Sequence, residues 1–262
     1  MKNLKQLFRT GEKKYNTGLI LSGGGAKGFA HAGILKALNE KGIYPDVISG
    51  VSAGAIAGAL NADGYTPDQM LEIFKKEKSF FDFAKVTIPK MGLFRISGLR
   101  ENLSKNLRAK TFENLKIPLY IAATNLKEGK IVYFNRGEIL DKILASAAIP
   151  VVFEPVEIDG DCYVDGGVMD HFPVLPIAKD CKRLIGVSLN PIKNKNEYTN
   201  MFRIADRSFH LAASLEIQRK KDQCDILIEP EELADYGMLD VSKIQELFEL
   251  GYRVASEKLK SI

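Results

Sequence analysis

No run of this sequence is long and apolar enough to cross a membrane. Cysteine and histidine are scarce, and neither is patterned. Cys162, Cys181 and Cys224 are odd in number and lack the paired spacing of a zinc site or a disulfide framework, so reduced thiols and a cytoplasmic setting are expected. His31, His171 and His210 lie far apart, with no H-x-x-x-H or H-E-x-x-H pair, which argues against a histidine-built metal centre. The stretch Met1–Tyr15 is basic and polar without an apolar centre. It reads as a loose basic arm over residues 1–14 rather than a secretory signal. Repeats, low-complexity tracts and linkers are lacking too, so residues 15–262 are expected to form one domain.

What is present fits a globular protein: 262 residues, 45% hydrophobic and 27% charged. The net charge of +4 is unevenly spread. Residues 1–110 carry 18 Lys and Arg against 9 Asp and Glu, and residues 111–262 carry 19 against 24. A basic front half suits an anionic surface such as lipid or phosphate, and equally a solvated face. Zinc-finger spacing, an aromatic RNA-binding strand and a helix-turn-helix pattern are all missing, so no nucleic-acid partner is expected.

Along the chain, strand-like and helix-like runs alternate. Thr17–Leu21 is a short apolar strand, followed by a glycine loop and a helical pattern with Ala30, Ile34, Ala37 and Leu38 on one face. A second apolar run from Asp46 to Ser49 leads into another turn and helix. This βαβ unit makes the two strands parallel and puts both loops at one end of a sheet. Further helices are expected over Pro67–Lys78, Leu99–Asn106 and Glu138–Ala148, and extended runs over Pro118–Thr124, Lys130–Phe134, Val151–Phe153 and Val156–Ile158. Asp159-Gly160 signals a hairpin into Cys162–Val164. Arg183–Leu189 and Asp225–Ile228 read as strands. Met201–Asp222 reads as an amphipathic helix with Ile204, Phe209, Ala212 and Leu215 inward, and Val241–Lys260 as the last helix. The expected class is α/β, layered helices on a mainly parallel central sheet.

Three local patterns carry chemistry. The first is the loop Gly23, Gly24, Gly25, Ala26, Lys27, Gly28. Its G-x-G-x-x-G spacing fits a dinucleotide site, which also needs an acidic residue at the end of the second strand. Here Asp46 stands at that strand's beginning. A phosphate-binding P-loop is excluded by the spacing and by Gly28 after Lys27. The other use of such a loop is an oxyanion hole, because consecutive glycines present backbone N–H groups without side chains in the way.

The second pattern is Gly50-Val51-Ser52-Ala53-Gly54, a strand-to-helix turn with Ser52 at its apex. Glycines two residues to either side let a strained turn lift a serine to a helix N-terminus. The bland reading is a glycine-flanked helix cap. The third is Asp165-Gly166-Gly167 at a strand end. A serine nucleophile needs a base, and the choices are His210 in mid-helix, His31, His171 or Asp165 itself. A free aspartate, at a pKa near ~3.9, is a poor base unless desolvated and paired with the hydroxyl.

Taken together, the three patterns resemble, in order, those of the patatin-like phospholipases. Ala145-Ser146-Ala147-Ala148-Ile149-Pro150 also resembles the stretch ahead of the family's Asp-Gly-Gly turn. The resemblance implies a three-layer α/β/α sandwich similar to cytosolic phospholipase A2 catalytic domains. It implies a lipid acyl hydrolase with Ser52 as nucleophile, Asp165 as base, and the amides of Gly23 to Gly28 as oxyanion donors. It implies no metal or organic cofactor, and an acyl-lipid or phospholipid partner. Two departures stand out: Lys27 where the family often has Arg, and Asp170-His171 where Asn is common. Residues 79–100 mix aromatics with cations, which fits either a satellite core or a flap in peripheral contact with a membrane.

Overall fold

The computed structural model describes residues 12–76, 96–193, 201–238 and 240–261. Most of the basic arm and of the 79–100 segment therefore lies outside the described residues. The frame is an eight-stranded sheet. Its parallel part runs β3 (Leu119–Asn125), β2 (Val47–Val51), β1 (Tyr15–Leu21), β7 (Cys181–Val187), β8 (Ile226–Ile228). An antiparallel part adds β4 (Lys130–Phe134), β5 (Val156–Ile158) and β6 (Asp161–Asp165) around β3. The expected βαβ unit is present, with β1 and β2 paired in parallel through Gly18 to Leu21.

Alternation along the strands divides the interior into two cores. Leu19 and Leu21 of β1, Ile48 of β2, and Ile185 and Val187 of β7 belong to the larger one. Ile20, Val47 and Leu184, pointing the other way, join Phe172, Ile177 and Ile217 on the opposite face. Such alternation is what a sheet buried on both faces requires. The helices α1 (Phe29–Glu40), α2 (Ala53–Ala62), α3 (Pro67–Lys76) and α8 (Ile244–Lys258) serve the first face. The short α6 (Leu175–Ala178) and the long α7 (Met201–Lys220) serve the second. Two more are α4 (Ser97–Asn106) and α5 (Leu140–Ser146); α5 packs on β3, β5 and β6, and α4 packs on α5.

One register detail positions the site. Strand β3 pairs with β4 through Ile121–Asn125, with β2 through Leu119–Ala122, and with β6 through Ala123–Asn125. Since β4 overlaps both others, β2 and β6 must share the opposite edge of β3, end to end. Val51 sits opposite Ala122 and Asp165 opposite Ala123. The end of the upward strand β2 and the end of the downward strand β6 therefore meet on neighbouring positions of one edge.

Two expectations are corrected. Val151–Phe153 is not a strand, because Val151 takes a left-handed backbone (φ 72°) and turns the chain after Pro150. In α7, Ile204, Ala212 and Leu215 face outward rather than inward, while Ala213, Ser214 and Ile217 are buried. The helix lies at the rim and packs through small residues. The side chains of Phe209 and His210 lie outside the described residues. Asp159-Gly160 does turn the β5–β6 hairpin, with φ of 53° and 83°, as a two-residue hairpin turn demands.

Candidate active site

At the end of β2 the chain reverses sharply into α2. Ser52 holds φ 54° and ψ −123°, a conformation costly for any residue with a Cβ. Close packing imposes it. A Cβ on Gly54 would lie 2.3 Å from the carbonyl oxygen of Leu21, and one on Gly50 would lie 2.5 Å from that of Gly54. The Ser52 backbone N–H donates to Ser146 Oγ at 2.8 Å, so a fully buried serine at the end of α5 clamps the turn. Val51 and Ala53 on either side are buried as well.

The Asp165 carboxylate lies beside the Ser52 side chain, and the Gly167 N–H donates to Asp165 Oδ1 at 2.7 Å. Gly166 is obligatory here, since a Cβ would stand 2.3 Å from the Ala122 carbonyl oxygen. Asp165 is buried. Desolvation pushes its carboxyl up to about 7, against the opposing pull of the neighbouring Ser52 hydroxyl and the Gly167 N–H.

The glycine loop faces this pair. A Cβ on Gly23 would lie 3.3 Å from Ser52 Cβ and 2.8 Å from His171 Cε1. Gly25 adopts φ 57°, with the Met238 carbonyl oxygen where a Cβ would go. Two amides of the expected donor stretch are engaged elsewhere: the Ala26 N–H donates to Met238 O at 2.7 Å, and the Lys27 N–H to Gly24 O at 3.2 Å. The donor set is thus narrower than Gly23 to Gly28 as a block. Gly28 closes against Ala53, at 2.5 Å for an added Cβ, which locks the loop to α2.

Sequence reading missed the residue beneath the loop, Asn190. Its Nδ2 donates to the Gly23 carbonyl oxygen at 2.8 Å and to His171 Nε2 at 2.7 Å, while its Oδ1 accepts from Lys27 Nζ at 3.1 Å. His171 therefore carries its proton on Nδ1, which packs closely against Gly167. Burial, aided by the charge of Lys27, lowers its pKa to about 4, so the ring is neutral at ordinary pH. His31 is also held neutral by burial, near 4, and donates from Nε2 to Ser22 O at 2.9 Å. It braces the loop from below. Asp170 is occupied by Tyr133, by Lys220 Nζ at 2.7 Å and by the Phe172 N–H at 3.1 Å. The structure thus brings together Ser52, Asp165, the glycine loop and His171. No metal-ligating cluster occurs among the described residues.

The patatin-like phospholipase model matches residues 19–178, which include the glycine loop, the Ser52 turn and the Asp165 turn. The chain belongs to the patatin-like phospholipase family. Among its relatives, an NTE family protein of Mycobacterium tuberculosis is 35% identical over 69% of this chain and 51% of its own length. The lysophospholipase NTE1 of Kluyveromyces lactis is 25% identical over 94% of this chain and 19% of its own. The patatin-like phospholipase domain-containing protein 7 of Rattus norvegicus is 26% identical over 90% and 20%. This patatin-like chain thus spans about half the length of the mycobacterial relative and about a fifth of the other two. VipD from Legionella pneumophila shares the fold, with a TM-score of 0.55 over 95% of this chain and 67% of its own, at 15% identity. No helix among the described residues is long and apolar enough to cross a membrane.

Proposed function

We propose that this protein hydrolyses fatty-acyl esters of phospholipid or lysophospholipid through a Ser52–Asp165 dyad. The observation that supports this most is the placement of Ser52 beside Asp165, a buried carboxylate whose pKa stands near 7. That pKa suits a general base far better than a solvated aspartate. Asp165 accepts the hydroxyl proton as Ser52 Oγ attacks the acyl carbonyl carbon. The amides of Gly23, Gly24 and Gly25 receive the oxyanion. Asp165 then returns the proton to the departing alkoxide, leaving an acyl ester on Ser52. Water, deprotonated by Asp165, releases the fatty acid and regenerates the hydroxyl. Neither His171 nor His31 fits the base role, since each ring is held by loop-bracing partners. The phospholipid class is carried over from what the relatives' names state.

A dinucleotide site on the same loop is the rival reading, and Asp46 speaks against it. Its carboxylate accepts from the Asn16 and Thr17 N–H groups at 2.9 and 2.8 Å, at the far end of the sheet from the loop. A fluorophosphonate probe tests the proposal. Wild type should label and Ser52→Ala should not. Equal labelling of both, or no acyl-ester turnover by wild type, overturns it.

A further inference from the structure

Helix α7 carries apolar side chains on the wrong side for a core. Ile204, Leu211 and Leu215 are 51, 41 and 64% exposed. Their spacing of seven and four residues puts them in one stripe along the helix. The buried Ala213 and Ile217 hold the opposite side. The same helix packs against the Gly166–Val168 turn that follows Asp165, and the His171 N–H is fastened to its Glu216 Oε2 at 2.6 Å. That turn runs straight into two more exposed apolar side chains, Val168 and Met169, at 48 and 44%. The segment that holds the proposed base thus carries exposed apolar side chains of its own, beside the helix that carries the stripe.

Charge chooses the occupant. Lys220 is turned inward to Asp170 and Glu216, and Arg207, which also donates to the Lys193 carbonyl oxygen at 2.8 Å, and Arg219 are the cations beside the stripe. Arg207 and Arg219 lie on either side of the stripe, each within roughly 60° of it around the helix axis. An apolar stripe edged by arginines is the signature of a helix that lies in a membrane interface, its apolar side chains among acyl chains and its cations on phosphates.

We infer that the outer face of α7, with Val168 and Met169, is the surface by which this protein docks on bilayers rich in anionic phospholipid. Docking there keeps the protein on the lipid surface. This rests on the acyl-hydrolase reading only for its purpose; the binding itself is independent of turnover.

The test uses Leu211→Asp and Leu215→Asp, both at exposed positions outside the reaction centre. Sedimentation with phosphatidylglycerol vesicles should show wild type bound and each variant weakened about tenfold or more. Hydrolysis of vesicular phospholipid should fall in parallel, while turnover of a soluble short-chain ester stays at the wild-type rate. Unchanged vesicle binding by the variants overturns the inference, as does equal binding of wild type to phosphatidylcholine vesicles. A wild-type dimer that the substitutions dissociate, seen by light scattering, also overturns it, because a second copy would then cover the stripe. If wild type binds vesicles through these leucines yet turns over no ester, the hydrolase reading fails and the docking surface stands.

Discussion

At the residue scale, Asp165 sets two opposing demands. As the proposed base it must be ionised, so kcat/KM on a soluble ester should rise with pH through about 7 and level off above. As a buried group it resists ionisation, and the linkage has a definite sign. Its folded pKa lies above its unfolded value, so its contribution favours the fold below about pH 4 and is lost as pH rises towards 7. A shift from 3.8 to about 7 corresponds to a cost on the order of 4 kcal/mol at pH 8. Asp165→Asn keeps an oxygen for the Gly167 N–H and loses the charge. The variant should be inactive yet melt above wild type at pH 8, with that advantage vanishing near pH 4. An unchanged melting temperature at pH 8 would refute the desolvation argument. Asn190 makes a different demand, since it ties Gly23, His171 and Lys27 together. Asn190→Leu should lower kcat about tenfold or more with little change in KM, because a displaced loop loses transition-state donors rather than ground-state binding.

At the scale of elements, the glycine loop is steered by the helix it starts. α1 crosses α8 at close range, where a Cβ on Gly251 would come within 2.3 Å of the Ala30 carbonyl oxygen, and one on Gly33 within 1.9 Å of that of Phe248. Gly251→Val must push the helices apart. Overpacking of this kind costs about 1–3 kcal/mol, or roughly 3–10 °C of melting temperature. Because α1 begins directly after Gly28, kcat should fall together with stability; a variant that loses stability alone would uncouple loop from crossing. Much of this level was legible beforehand. The β1–loop–α1–β2–elbow unit depends on local signals, apolar runs and glycines at fixed spacing, and it stands where the sequence put it. The α7 surface was not legible. Helical periodicity shows that Ile204 and Leu215 share a face, but not whether that face meets the core. The buried side is taken by small residues, which a search for large apolar ones overlooks.

At the scale of the whole molecule, the site is a meeting of parts remote in sequence. Ser52 arrives on the parallel sheet and Asp165 on the antiparallel hairpin, and the edge of β3 joins them. Pairing on a shared edge leaves no mark in either strand's own sequence. Asn190, 167 residues from Gly23, is invisible for the same reason. One polar network fastens these parts. Lys220 of α7 reaches Asp170 Oδ1 at 2.7 Å and Glu216 Oε1 at 2.5 Å, Tyr133 of β4 donates to Asp170, and Glu216 accepts from the His171 N–H. Burial and the nearby charge of Asp170 raise the Glu216 pKa, and Lys220 opposes them. Lys220→Met removes that opposition and leaves two partly or fully buried carboxylates facing each other. The expected loss is about 3 kcal/mol at pH 8. Its sign with pH follows from the raised carboxylate: the penalty is present once the groups ionise and fades as pH falls towards about 4. Chemical denaturation at pH 8 and pH 5 measures this, with the larger deficit expected at pH 8. Adding Glu216→Gln should recover part of the loss at pH 8, since one of the two repelling charges is gone. A deficit independent of pH, or no recovery in the double variant, would mean that Lys220 acts by packing its aliphatic stem and not by its charge.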